Sequence, residues 1–298
     1  MTTPTAPRAG RPTGAGRPTG TRRRSGDPVA RLGRALAVPA LILAALMLLF
    51  PVYLMAKVSI SLPGEVLTQH PTFLIHHVTL EHWKDVLSSG NLWAPLRKSL
   101  LVATLTTLGS LLMAAPASYV ISRLPQPYRY VSVLALFFTR MFPEVGIALP
   151  IAVTFIKWNL TDTVAGLVLA HMIKELPFTA WILVGTFETI PTDLEKAALV
   201  DGASRSGALT RVVLPLALPG LAVASIFAWL DSWNEFTMAL YLTLSDRTLP
   251  LLTYYYINRG NWFSAAAYSA ILTLPVMVVT FFLQRYLRTG YLSGAVKG

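Results

Sequence analysis

The chain has 298 residues, 54% of them hydrophobic and only 13% charged, with a formal charge of +11 and no cysteine. A soluble domain carries about 25% charged residues, so this composition points to a bilayer and leaves room for about six spans of about 20 apolar residues each. The lack of cysteine excludes disulfides, thiolate metal ligands and cysteine nucleophiles; the positive charge lies in an N-terminal tail and short loops rather than on a folded basic face, which argues against nucleic acid as a partner.

Residues 1–34 hold eight Arg, one acid (Asp27) and a repeated Arg-Pro-Thr-Gly, with no apolar period. That composition predicts a disordered, basic, cytoplasmic tail. The apolar run Ala35–Ala56 is too long for a signal-peptide core, and no clear small-residue cleavage site follows it. It reads as a first transmembrane helix over 35–58. The expected outer loop, 59–96, carries His70, His76, His77 and His82 with Glu81 and Asp85. His76 and His77 are adjacent, and His82 and Asp85 would need the loop to fold back, so a polar solvated loop is expected rather than a zinc site.

Five further runs follow: Ser99–Ile121, Val131–Ile156, Thr163–Phe187, Val212–Leu244 and Trp262–Gln284. They are continuous rather than alternating, which favours helices over barrel strands. The expected fold is an all-α membrane protein with six transmembrane helices, a membrane domain over 97–287 and a C-terminal tail over 288–298. With the N-terminus inside, sixteen of the 25 Lys and Arg lie in inner segments and seven in outer ones. This bias places both termini in the cytoplasm, and an even number of spans likewise puts them on the same side.

Charges within the runs need partners or a wet cavity, since each costs about 2.5–3.5 kcal/mol at mid-bilayer. Arg140 and Glu144 stand at i,i+4 and are expected to pair on one helix. Lys174 and Glu175 are adjacent and must point to different partners. Asp231 and Glu235, with Asn234 beside them, mark a cation or proton path, or else lie where a helix leaves the membrane. Several Pro in the runs, among them Pro143, Pro177, Pro215 and Pro219, predict kinked spans. No G-x-S-x-G, H-E-x-x-H or G-x-x-x-x-G-K-[ST] is present, so no nucleotide hydrolysis is expected of this chain.

The segment 188–214 is the least apolar part of this half. Thr192-Asp-Leu-Glu195 reads as a capping box, with Thr192 as N-cap and Glu195 reaching back to it. Leu194, Ala197 and Ala198 then share a small, nearly flat face. Gly202 is expected to end this helix in a left-handed cap, and a second short helix from about Ser204 runs into the fifth span. A plain connection needs about 2–8 residues; this longer, ordered one suits a docking knob for a cytoplasmic partner.

Glu195–Ala203, EKAALVDGA, followed by LPLALPG, resembles the EAA loop of inner-membrane permease subunits of binding-protein-dependent ABC importers. RMFPEVGIALPI, ELPFTAWIL, SWNEFTMAL and the tail GYLSGAVKG are similar to the carbohydrate, maltose-type branch. The resemblance runs from about residue 95 to the end. It implies a type I ABC importer permease fold and an ATPase-docking surface at Glu195, Lys196, Ala197, Ala198, Asp201, Gly202 and Ala203. Lys196 stands where the family has Glu. It also implies an ATPase-contacting tail at Gly294, Ala295, Val296, Lys297 and Gly298. The implied partners are a second permease subunit, an ATPase dimer and an extracytoplasmic sugar-binding protein, in a bacterial inner membrane. ATP and Mg would be bound by the partner subunits and no cofactor by this chain. Trp229, Asn234 and Tyr241 are candidates for the substrate path, with packing or interfacial anchoring as the competing role. The competing function is an ion-coupled secondary transporter using Asp231 and Glu235.

Overall fold

The computed structural model describes residues 28–290, with side chains over 37–282. The described helices are α1 (Pro28–Ile60), α2 (Pro63–Val66), α3 (Glu81–Ser88), α4 (Trp93–Ser122), α5 (Gln126–Thr139), α6 (Glu144–Lys157), α7 (Val164–Glu188), α8 (Thr192–Val200), α9 (Arg205–Ala208), α10 (Leu214–Asn234), α11 (Thr237–Leu242), α12 (Leu249–Asn258) and α13 (Trp262–Gly290). A π turn over Leu209–Val213 joins α9 to α10. α1 passes from a first compact unit, ending at Pro51, into a second that begins at Val52; the packing below belongs to the second.

Five helical stretches are long and apolar enough to span a bilayer: Ala37–Ile60, Trp93–Ser122, Val164–Glu188, Arg205–Asn234 and Trp262–Phe282. The sixth expected span differs from a single helix. Its run is broken after Thr139, and α5 and α6 meet at 80°. Pro143 is the cause: it cannot donate to the carbonyl four residues back, and it disfavours helical backbone at Phe142. Arg140 caps the end of α5, and Glu144 opens α6.

α4, α7 and α10 form the spine. α4 buries Thr106, Ser110, Ala114, Ser118 and Ser122, a stripe of small residues at spacing four. Such residues let helices approach closely where lipid offers no hydrophobic drive. Ser118 Oγ donates to the Ala180 carbonyl of α7 at 3.0 Å. At Gly220 of α10 a Cβ would lie 2.2 Å from Thr186 of α7, so this crossing admits only glycine. The π turn precedes Pro215, whose missing N–H leaves no donor for the carbonyl four residues back; Leu214 N–H reaches Leu209, five back.

Two histidines of the 59–96 segment take separate partners. His77 Nδ1 lies 2.6 Å from Glu65 Oε1, while His82 stacks on Phe263 at 4.8 Å.

At the end of the spine opposite α8, Asp162 ties two loops together. It adopts φ 62°. Its carboxylate accepts from Leu244 N (3.1 Å), Ser245 N (3.2 Å), Asp246 N (3.2 Å) and Ser245 Oγ (2.5 Å). Buried Lys98 lies 4.0 Å from Asp162 and 3.4 Å from Asp246. Burial pushes the Asp162 carboxyl up, but the bonds from Ser245, Asp246 and Leu244 outweigh it and hold it at about 2 against an ordinary 3.8. A carboxylate lowered in this way stabilises the fold above about pH 4, and that contribution is lost as pH falls towards about 2. In detergent, Asp162→Asn is therefore expected to melt below the wild type at pH 7, with the gap closing between about pH 4 and 2. Equal melting temperatures at neutral pH would show that the clamp adds nothing.

Candidate functional site

The first candidate region is the 188–214 segment. α8 ends in two reverse bonds, Ala203 N–H to the Ala198 carbonyl (3.0 Å) and Gly202 N–H to that of Leu199 (3.1 Å), with Gly202 at φ 89°. This is a Schellman cap, which needs a residue tolerant of positive φ. Ser204 Oγ then caps α9 by accepting from Gly207 N at 3.1 Å. Leu194, Leu199 and Val200 are exposed, Val200 at 87%, on an otherwise polar segment. Ala197, Asp201 and Lys196 are also exposed, Ala198 and Ala203 half-buried. Lys196 pairs with Asp193 at 2.9 Å in solvent.

The expected capping box does not form. Pro191 is the N-cap, and no side chain caps α8. Glu195 is instead buried, bonded to the Arg123 guanidinium and accepting from Tyr119 Oη at 2.9 Å. Arg123 also donates to the carbonyls of Phe187 (3.0 Å) and Ile190 (3.4 Å). A charge-assisted bond to a guanidinium outcompetes one to a local N–H. Arg123 at the end of α4 thus ties α8 to the end of α7.

The second region lies level with the α5–α6 elbow. Arg140 and Glu144, expected to pair with each other, are split by the break. Arg140 Nη2 faces Asp231 of α10 at 3.7 Å, and Glu144 meets Lys174 of α7 at 2.8 Å. Lys174 also lies 3.5 Å from Asp231. Adjacent Glu175 lies against Asp231 and is 1% exposed, its Oε2 without a hydrogen-bond partner among the described residues. The cluster ties the elbow to α7 and α10.

Asp231 and Glu235 do not share a helical face. α10 ends at Asn234, and Glu235 turns extended, with ψ 130°. Its carboxylate accepts from Met238 N (2.7 Å) and Ala239 N (3.1 Å) at the start of α11. His171 Nε2 stands 3.1 Å from it without hydrogen-bond alignment, while Nδ1 is 2.7 Å from Ser232 Oγ. Asp231 balances cations and Glu235 caps a helix. The carboxylate pair expected of an ion-coupled carrier is absent.

Of the substrate-path candidates, Asn234 is exposed beside Asp231 and donates to the Leu230 carbonyl at 2.8 Å. Trp229 stacks on Trp233 (5.1 Å, 8°), and Tyr241 packs on the core formed by α4, α6, α7, α11 and α12. The structure does not bring the three together. Gly294, Ala295, Val296, Lys297 and Gly298 lie outside the described residues.

Residues 106–292 match the family model described as "Binding-protein-dependent transport system inner membrane component". The chain is 31% identical over 255 residues to the diacetylchitobiose uptake system permease protein DasC of Streptomyces coelicolor, covering 84% of this chain and 92% of that one. It is 32% identical over 279 residues to the trehalose/maltose transport system permease protein MalG of Thermococcus litoralis, covering 90% and 98%. A chain from the crystal structure of a bacterial ABC transporter involved in the import of the acidic polysaccharide alginate superposes with a TM-score of 0.72 at 23% identity, over 87% of this chain and 98% of that one.

Proposed function

Since this chain belongs to the binding-protein-dependent transport system inner membrane components, we propose that it is one of two non-identical permease subunits of an ATP-driven sugar importer. It is a multi-pass inner-membrane protein with the type I ABC importer permease fold, and not itself the ATPase. It supplies half of the pore. Its partners are the second permease, an ATPase dimer that binds ATP and Mg, and an extracytoplasmic sugar-binding protein. Both termini and the 188–214 segment lie on the cytoplasmic side, and residues 294–298 reach the ATPases. The sugar class follows the relatives named above.

The observation that carries the docking role is the exposed apolar knob of Leu194, Leu199 and Val200 on α8, closed by the Gly202 cap and held from below by Arg123. A mobile connection would need neither the caps nor the anchor. Closure of the ATPases would push this knob, and the anchor passes the push to α4 and α7 as rigid bodies.

Gly202→Val tests the knob. Space is not limiting there, since a Cβ would meet nothing within 4 Å, but φ 89° is closed to a β-branched side chain. The expected result is loss of sugar uptake with normal insertion, and partial recovery in Gly202→Asn, which tolerates positive φ. Normal uptake by Gly202→Val would remove the docking role. Purification from native membranes should give two ATPase copies and one second permease per chain.

A further inference from the structure

The first apolar stretch ends at Ile60, and the backbone of residues 71–79 returns alongside it. Tyr53 Oη donates to the Phe73 carbonyl at 2.6 Å, Lys57 Nζ donates to the Thr72 carbonyl, and Thr79 N–H donates to the Ile60 carbonyl at 2.8 Å. We propose that residues 72–75 dip back into the leaflet in which α1 ends, and that Phe73, Leu74 and Ile75 bind its lipid at the boundary between headgroups and acyl chains. The proposal goes beyond the importer reading and does not depend on what is transported.

The bonds set the depth. Thr79 is level with Ile60, the end of the apolar stretch. Tyr53 lies two helical turns before that end, about 10 Å along the axis. Helical side chains lean toward the N-terminus, so its hydroxyl points deeper still. The Phe73 carbonyl is bonded there, inside the level at which α1 stops being apolar. Tyr and Lys are also residue types that anchor a span at the headgroup level.

The hydrogen bonding suits that depth. Irregular backbone enters an apolar region only where its polar groups are answered. Lipid phosphate and ester oxygens accept hydrogen bonds, so the groups a dipping segment must satisfy with its own donors are its carbonyls. Three in a row are satisfied: Thr72 by Lys57, Phe73 by Tyr53, and Leu74 by Thr72 Oγ1 at 3.1 Å. Water would make none of these necessary, and a protein partner would bring N–H donors of its own. The residue order agrees. Phe73, Leu74 and Ile75 stand between His70-Pro71-Thr72 and His76-His77, an apolar tip with polar shoulders, the distribution of a segment lying at a membrane surface. The backbone is held while the tip points outward, Leu74 being 68% exposed.

The test uses the complete transporter with its partners, in liposomes of phosphatidylcholine and phosphatidylglycerol. The chain has no cysteine, so Leu74→Cys places a single nitroxide label on it, with the signal of the identically treated wild-type transporter subtracted. Collision of the label with oxygen, which concentrates in lipid, is compared with collision with a water-soluble nickel chelate. In Leu74→Cys oxygen should dominate. In Gly64→Cys, on α2, where an added Cβ meets nothing within 4 Å, the order should reverse. Ile75→Cys carries the same comparison if Leu74→Cys does not assemble. Dominant nickel collisions at position 74 would place the segment in water and overturn the proposal. Weak collisions with both reagents would show that protein covers the tip, the second permease included, and would overturn it equally. Neither result would touch the importer reading.

Discussion

Arg123→Ala is expected to cut uptake by about tenfold or more while the protein still inserts, because breaking a buried ion pair costs about 3–5 kcal/mol and here also frees a helix. Arg123 holds Glu195 and the carbonyls of Phe187 and Ile190. Without it, Glu195 keeps Tyr119 as its one bonded partner and the end of α7 loses its cap. α8 would then move without moving α4 or α7. Uptake per inserted chain, measured beside ATP hydrolysis by the assembled transporter, checks this: hydrolysis should persist while uptake falls. Arg123→Lys should recover little, since an ammonium cannot span a carboxylate and two carbonyls as the planar guanidinium does. Wild-type uptake in Arg123→Ala would show that force does not pass through this anchor.

Lys174→Met is expected to cost about 1–2 kcal/mol of stability, by leaving Glu144 without a close cation and Asp231 with Arg140 alone, the buried-pair penalty being reduced because both carboxylates are more than a third exposed. Lys174 is the cation nearest Glu144, at 2.8 Å, and one of two facing Asp231. Its loss releases the α5–α6 elbow from α7. Thermal unfolding in detergent gives the measurement. The double variant Lys174→Met with Glu144→Gln should regain part of the loss, since the two residues touch and their effects are not additive. A single variant that melts as the wild type does would show that the elbow is held by its apolar contacts alone.

Much of the 188–214 segment was legible because its signals are local. Gly202 ends α8 with φ 89°, and Ser204 starts the next helix by capping Gly207; each depends on a few neighbouring residues. Glu195 shows the limit. Thr192 to Glu195 has the spacing of a capping box, yet the carboxylate turns to Arg123, 72 residues away. The sequence contains both options, and only packing brings the stronger partner within reach.

The intramembrane charges follow the same pattern. Arg140 and Glu144 have helical spacing, and Pro143 between them was visible. The 80° angle was not, since a proline breaks a helix without stating where the chain goes next. The elbow sends Arg140 to Asp231 and Glu144 to Lys174. Trp229, a substrate-path candidate whose competing role was packing, stacks on Trp233.

The sequence by itself determined the membrane class, the apolar spans, the break at Gly202 and the family, because hydrophobic runs, backbone conformations and contiguous motifs are written along the chain. The tertiary structure alone decided which charge meets which. Ion pairs join side chains dozens of residues apart, and their energies depend on distances that exist only after α4, α7 and α10 have packed.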